Sequence, residues 1–407
     1  MKILFVSFCA PRPEDQTFGV FVDRMAQGLC RLGHSVDILV PVRVFPTEHL
    51  VKTVLKPSAW HRVPAAWGAW RAKWRNATGC VRTNGIRYIY RRFSTLPATS
   101  RGGMNSVSFV RMSQRFLGGL ARENGYDHVM GHFLETVPLV EHLGAEANCS
   151  RSVYVHEDVE DLLRTPFGKT AVASLRGDTL LLANSARTRT QLSSFVGGRR
   201  AEVVHLGVEW CDDRSRRSVR AEGPVKLVCV SRYVPRKNQD LLLRLLLKRR
   251  AEGRPGVTLT LVGDRSPFRD HLQAMVAGER LQDAVTFVDA ADHGVIMREL
   301  SAADIFVFPS RFESFGLVLV EALGMGVPSL SAPNVGAYQE LKHLGHEVPT
   351  FDETSVESLD RAVSAIIDNY PASVARAQEL QRFVRQTFAW DNTAATVASL
   401  IEKERRW

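Results

Sequence analysis

Short apolar runs alternate with amphipathic stretches along this chain, and the alternation starts twice. The first series opens at Lys2-Ile-Leu-Phe-Val-Ser-Phe8, which reads as a buried strand. Phe21, Met25, Leu29 and Leu32 then fall at helical spacing over Val20–Leu32, Gly33 stops the helix, and Ser35–Val40 reads as a second strand. Residues 42–104 read as irregular, 106–123 as a helix. Further short strands are expected at Asp127–Gly131, Ser152–Val155, Thr179–Asn184 and Val203–Val204. Charged and polar residues fill Glu209–Gly223, and the series then restarts. Strands are expected at Val225–Val230, Val257–Val262, Val285–Val288, Ile305–Phe308 and Val327–Ser331. Helices are expected at Asp240–Leu247, His271–Val276, Val295–Ala302 and Leu317–Leu323, with a helical tail from about Val356. Apolar runs this short, separated by helices, are the pattern of doubly wound parallel sheets. The expectation is an α/β chain with one domain over 1–208, a linker over 209–224 and a second domain over 225–387. Two such domains predict a cleft where a ligand meets strand ends from both.

Composition excludes several alternatives. With 45% hydrophobic and 24% charged residues in a chain of 407, the chain has the material for sizeable cores, and wholesale disorder is out. No apolar run approaches the roughly 18 residues that span a bilayer. Lys2 before an apolar run raises a signal peptide, but no small-x-small cleavage site follows, so none is expected. The cysteines at 9, 30, 80, 149, 211 and 229 form no CxxC or zinc knuckle. Reduced thiols in a cytoplasmic protein are the expectation. On that reading the glycosylation patterns at Asn76 and Asn148 are chance.

The charge is local. Net charge is +10, yet residues 43–125 carry fifteen Lys or Arg against only Glu48 and Glu123. Trp60, Trp67, Trp70 and Trp74 fall in the same 42–125 segment. A solvated basic face with core tryptophans is one reading. A surface docking on anionic lipid is another, because Trp favours the membrane interface and each Lys or Arg near it adds about 1 kcal/mol. Nucleic acid is the third reading and is set aside.

Two stretches carry chemistry. In Pro309-Ser-Arg-Phe-Glu313-Ser-Phe-Gly-Leu-Val-Leu-Val-Glu321, a strand end and loop lead into a helix starting near Leu317. The unpaired N–H groups and dipole of a helix start favour an anion, and Gly316 lets a phosphate approach the backbone. Two carboxylates beside an anion site suit the hydroxyls of a sugar and a ribose. In Val228-Cys-Val-Ser-Arg232-Tyr-Val-Pro-Arg-Lys237-Asn238, a strand end is followed by two cations. Arg232 can fork onto a phosphate and Lys237 can add a point charge. Taken singly, each stretch could equally be an exposed loop with ordinary charged residues.

Together these stretches resemble the retaining glycosyltransferases of family 4. The Glu313-x7-Glu321 spacing is that family's signature, and Arg232 and Lys237 stand where it keeps a diphosphate-binding pair. Leu182-Ala-Asn184-Ser185, His205-Leu-Gly207-Val208, Ala302-Ala-Asp304 and Phe388-Ala-Trp390 agree with its pattern. The resemblance weakens over 42–125. It implies the GT-B architecture: two Rossmann-like domains facing each other across a cleft, with a C-terminal helix at 388–407 returning to the N-terminal, acceptor-binding domain.

The resemblance also implies roles. Glu313 would hold the donor sugar's hydroxyls and Glu321 the nucleotide ribose. Arg232, Lys237 and the N–H groups running from Ser314 and Phe315 through Gly316 to Leu317 would neutralise a leaving diphosphate. Gly19 would face the phosphates, although Phe18 replaces its usual glycine neighbour. His156 would touch the donor sugar, although Glu157 replaces the usual following glycine and Asp158, Glu160 and Asp161 crowd behind it. His132 is a further acceptor-side candidate. Gly336 stands where the family has a glycine pair before a later glutamate, here Glu340. The base contact is expected from the loop 289–292, with Asp289, Ala290 and Asp292, and near Gly263 and Asp264.

The implied reaction moves a hexose from a UDP- or GDP-sugar to an acceptor hydroxyl with retention and needs no metal. The sequence has no Asp-x-Asp to bridge one. The basic segment points to a lipid-linked or cell-surface glycan precursor at the cytosolic membrane face, with the protein peripheral on the inner face of the plasma membrane. Transfer to a small soluble acceptor, a nucleotide-sugar 2-epimerase, and a non-enzymatic binding protein with a silent fold are the competing readings.

Overall fold

The computed structural model describes residues 1–11, 19–43, 78–93, 104–197, 199, 201–210, 223–254, 256–289 and 292–404. The chain divides into two compact units. The first comprises Met1–Asn184, Thr188–Gly207 and Trp390–Trp407; the second comprises Ser185–Arg187 and Val208–Ala389. Trp60, Trp67, Trp70 and Trp74 lie outside the described residues, as do most of the basic segment and most of the proposed linker.

The first unit begins β1 (Lys2–Val6), α1 (Val20–Arg31), β2 (Ser35–Arg43), β3 (Gly79–Thr83), β4 (Ile86–Phe93) and α2 (Met104–Asn124). It continues β5 (His128–His132), α3 (Val137–Ala147), β6 (Ser150–Val155), α4 (Val159–Leu163), α5 (Pro166–Ser174), β7 (Leu180–Ala183), α6 (Ala186–Phe195) and β8 (Ala201–Val203). The sheet order is β3-β4-β2-β1-β5-β6-β7-β8, parallel throughout except for the β3–β4 pair. Leu4, Val6, Leu39, Val129, Val153 and Leu181 are fully buried, as expected of strands covered on both faces. Strand order reverses between β1 and β5, which places the ends of those strands at a topological switch point.

One expectation is corrected here. Residues 42–104 are not irregular throughout: Gly79–Thr83 and Ile86–Phe93 form an antiparallel hairpin. Asn84 and Gly85 close it at φ 50° and 80°, the two-residue turn that matches the twist of the paired strands. β3 is exposed along its whole length and so lacks the apolar run by which buried strands are read.

The second unit contains β9 (Val225–Val230), α7 (Gln239–Ala251), β10 (Val257–Gly263), α8 (Pro267–Gly278), β11 (Val285–Asp289), α9 (His293–Ala302) and β12 (Ile305–Phe308). It ends with α10 (Leu317–Gly324), β13 (Ser329–Ser331), α11 (Gly336–His343), α12 (Val356–Asp368) and α13 (Tyr370–Thr387). Its sheet is all parallel, in the order β11-β10-β9-β12-β13. The order reverses between β9 and β12, so the loops after these two strands share a switch point. Those loops carry Arg232 and Lys237, and Ser310 and Glu313.

The last helix, α14 (Trp390–Glu404), belongs to the first unit and packs on α1. It starts two residues later than the sequence suggests, because Phe388 is fully buried in the core of the second unit. Small residues set its approach. A Cβ on Gly28 would lie 2.7 Å from Ala394 Cβ, and one on Gly207 would lie 2.5 Å from the Trp390 ring. Arg31 and Asp391 pair across the same surface at 2.7 Å. No helix of the described residues is long and apolar enough to cross a membrane.

Candidate functional site

The β9 loop is built as a scaffold for Lys237. After Val230 the chain passes Ser231, Arg232 and Tyr233 and enters a 3-10 turn at Pro235–Lys237. Tyr233 anchors the loop, its N–H donating to Asp264 Oδ1 at 3.2 Å and its hydroxyl to the Leu261 carbonyl at 2.8 Å. Gln239 Nε2 donates back to Ser231 Oγ and to the Arg232 carbonyl at 2.8 and 3.0 Å. Asn238, at φ 59°, then starts α7. Its amide donates to the carbonyls of Pro309 and Glu353 at 3.2 and 2.8 Å. Asn238 therefore ties the β9 loop to the end of β12, and that bond sets Lys237 beside Glu313. Sequence reading missed its role. The available signal was an asparagine, the residue most tolerant of positive φ after glycine, directly before a helical run.

Lys237 and Glu313 form a buried ion pair, their side chains 9% and 10% exposed. The ammonium and the Ser310 hydroxyl, at 2.9 Å, both donate to Glu313 Oε1. No described residue donates to Oε2. Burial pulls the Lys237 ammonium below its ordinary range, while the Glu313 carboxylate works against that shift. The Phe308 ring lies 5.8 Å from the Lys237 nitrogen and adds a cation–π contact. Glu313 is also fixed through its backbone. Its N–H donates to the Asn334 carbonyl at 3.2 Å, and its carbonyl accepts from the Gly336 N–H at 3.1 Å.

Gly316 precedes α10 in the left-handed region, at φ 94°. A Cβ there would meet Phe308 at 2.9 Å, and one on Gly336 would meet the Ser314 carbonyl oxygen at 2.1 Å. Both glycines allow backbone to pass close to backbone or ring. Phe315 is buried, and no side chain caps α10, so the amides of Leu317 and Val318 face the loop unused. Arg232 is exposed and has no carboxylate partner among the described residues.

The remaining candidates are placed as follows. Glu321 lies in the second turn of α10, 13% exposed, and accepts from His293 Nε2 at 3.0 Å. His293 is a residue that sequence reading missed. A Cβ on Gly263 would lie 2.4 Å from the Ser231 carbonyl oxygen, so that glycine serves the crossing of the β9 loop. Asp264 accepts from Tyr233 N–H. Asp289 pairs with Arg265 and Arg269, which hold its carboxyl below the usual carboxylate range. Asp292 caps α9 by accepting from Val295 N–H at 2.9 Å. Ala290 lies outside the described residues.

Gly19 and His156 belong to the first unit. Gly19 precedes α1 at φ 69°, and its α-carbon presses on the Cys9 carbonyl, 2.2 Å from where a Cβ would sit. His156 follows β6 and stacks on His132 at the end of β5, with rings 5.4 Å apart and 5° from parallel. His132 Nδ1 and His156 Nε2 are 3.1 Å apart, and the other ring nitrogens, His132 Nε2 and His156 Nδ1, are buried with no hydrogen-bond partner among the described residues. Burial lowers His132 to about 3 and holds His156 well below its ordinary value, so both rings are neutral. Glu157 accepts from the N–H groups of Leu134 and His156 at 2.6 and 3.0 Å. Burial raises Glu157 to about 7, and burial together with Glu157 raises Glu135 to about 7. Phe133, directly after His132, sits at φ 75°.

Among the described residues no group of three or more His, Cys, Asp or Glu is placed to hold a metal ion.

Two Rossmann-like units with a basic and acidic constellation at a switch point define the GT-B class of folds. The HepE protein of Anabaena, solved in complex with UDP and glucose, shares this fold over 99% of this chain and 100% of its own, at 17% identity and a TM-score of 0.68. Residues 212–387 match the family described as glycosyl transferases group 1. A GDP-mannose-dependent alpha-(1-6)-phosphatidylinositol monomannoside mannosyltransferase of Mycolicibacterium smegmatis is 29% identical over 66% of this chain and 73% of its own length. A glycogen synthase of Mycobacterium tuberculosis is 28% identical over 57% of this chain, which spans little more than half of that relative, 56%.

Proposed function

We propose that the protein transfers a hexose from a nucleotide-diphosphate sugar to an acceptor hydroxyl, with retention at the anomeric carbon and without a metal. The observation that carries this reading is the division of labour at Glu313. Lys237 and Ser310 hold Oε1, which leaves the lone pairs of Oε2 for hydroxyls of the donor sugar. Lys237, the exposed Arg232 and the uncapped start of α10 supply positive charge beside it. The bond from the anomeric carbon to the β-phosphate oxygen breaks, and its electron pair stays on the phosphate. The acceptor oxygen bonds to the anomeric carbon from the same face, and its proton goes to the departing phosphate. Charge builds on the leaving group in that step, and preorganised donors at that point are worth about two to four kcal/mol each in such sites.

Relatives support the donor class. HepE was solved with UDP and glucose, and the mycobacterial relative is named for GDP-mannose. The mycobacterial relative is also named for a phosphatidylinositol acceptor. That name, with the basic tryptophan-bearing segment, favours a lipid-linked acceptor at the cytosolic membrane face.

The test is a thermal-shift panel of UDP, GDP and their sugars in the presence of a chelator. A ligand that binds only the folded state raises the midpoint. A shift with one base, lost in Arg232→Ala, supports a metal-independent donor site and names the base. No shift with any member in a folded sample overturns it. Product NMR then reads the anomeric configuration, and co-sedimentation with phosphatidylglycerol vesicles at low and high salt reads the membrane step.

A further inference from the structure

His293 Nε2 lies 3.0 Å from Glu321 Oε1. An ionised carboxylate only accepts, so this ring nitrogen carries the proton and donates. The two residues come from different helices, the first residue of α9 and the second turn of α10. His293 is not needed to start α9, because Asp292 already caps it through the Val295 N–H. The histidine side chain is 42% exposed and the Glu321 side chain 13% exposed, so a partly exposed imidazole reaches a nearly buried acid.

We infer that His293 is a positioning residue for the nucleoside subsite. It fixes the Glu321 carboxylate by one oxygen and leaves the other turned to the two ribose hydroxyls. This rests on the donor-site reading above. A glutamate side chain has three rotatable bonds, and a free one must be ordered when the ribose arrives. Holding it beforehand removes part of that cost. The imidazole also reaches the carboxylate without covering it, since a carboxylate offers about four acceptor sites and His293 takes one.

The experiment is calorimetric titration of the full chain with UDP and GDP, and of the tighter binder against its 2′,3′-dideoxy counterpart. The variants are His293→Ala, His293→Gln and Glu321→Gln, with thermal melts confirming that each is folded. His293→Ala is expected to weaken the ribonucleotide about tenfold, the scale of one hydrogen bond to a charged group. It should leave the dideoxynucleotide unchanged, and His293→Gln, which keeps a donor, should recover most of the loss. Equal weakening of both nucleotides, or of neither, by His293→Ala overturns the inference. Failure of the parent reading looks different: wild type then binds both nucleotides equally well, or Glu321→Gln weakens both alike, or neither UDP nor GDP binds.

Discussion

Lys237 and Glu313, 76 residues apart in sequence, meet as a buried ion pair at the switch point of the second sheet. Such a pair is a positional device more than a source of stability. The cost of stripping water from two charges offsets most of their attraction, whereas removing one partner leaves the other buried and uncompensated.

Lys237→Met and Glu313→Leu should therefore each destabilise the fold by about 3 kcal/mol, and the double variant by clearly less than the sum of the two. Urea midpoints of the four proteins form the cycle. Simple additivity would show that the two side chains do not act as a pair. Transfer activity should be lost in all three variants.

The first unit should respond to pH in two opposing ways. His132, held near 3, stays neutral in the fold, while the unfolded chain protonates its counterpart near 6.5. The unfolded state binds more protons over that interval, so this contribution falls as pH drops from about 6.5 toward 3. Glu135, raised to about 7 from an ordinary 4.5, keeps a proton in the fold that the unfolded chain has released. Its contribution falls as pH rises from 4.5 to 7. Glu135→Gln removes that second term and relieves its repulsion with Glu157. Its urea midpoint relative to wild type should rise between pH 5 and pH 7.5, and a falling difference would count against the assignment.

Gly336→Ala should disable the site more than it unfolds the protein. The added Cβ would sit 2.1 Å from the Ser314 carbonyl oxygen and must push the Ser314–Phe315 backbone aside. Overpacking of this kind costs about 1–3 kcal/mol, and the displaced segment leads directly into α10. Nucleotide binding should fall at least tenfold in a protein that still melts cooperatively. Wild-type affinity would show that the segment moves without disturbing the donor site.

Gly28→Val should loosen α14. Its Cβ would stand 2.7 Å from Ala394 Cβ, and the branched side chain has no room to turn away. Faster limited proteolysis between α13 and α14 is the expected outcome, and an unchanged cleavage pattern would show that the helix contact is dispensable.

Much of this was legible in the sequence. Val225–Val230 and Ile305–Phe308 are strands at the boundaries read from their apolar runs, because a strand buried on both faces has only one way to be written. The hairpin at Gly79–Phe93 was not read, because β3 is an exposed edge and only Asn84-Gly85 marked it. Glu313, Lys237 and Arg232 were identified as separate charges. Their geometry was not, since it depends on Asn238 reaching the Pro309 carbonyl across two loops far apart in sequence. His293 escaped for a related reason: a histidine at a helix start carries no mark of the carboxylate it faces from another helix.

The position of α14 has a consequence for how the protein is made. The first unit is assembled from chain on both sides of Val208–Ala389, so it cannot be completed in the order in which it is translated. At roughly 10 residues per second, the ribosome needs about 20 seconds to deliver the intervening stretch. Throughout that time the Gly28 face of α1 waits for a helix that has not yet been synthesised. The second unit is therefore the first to be finished, and the unit that begins the chain is the last to close.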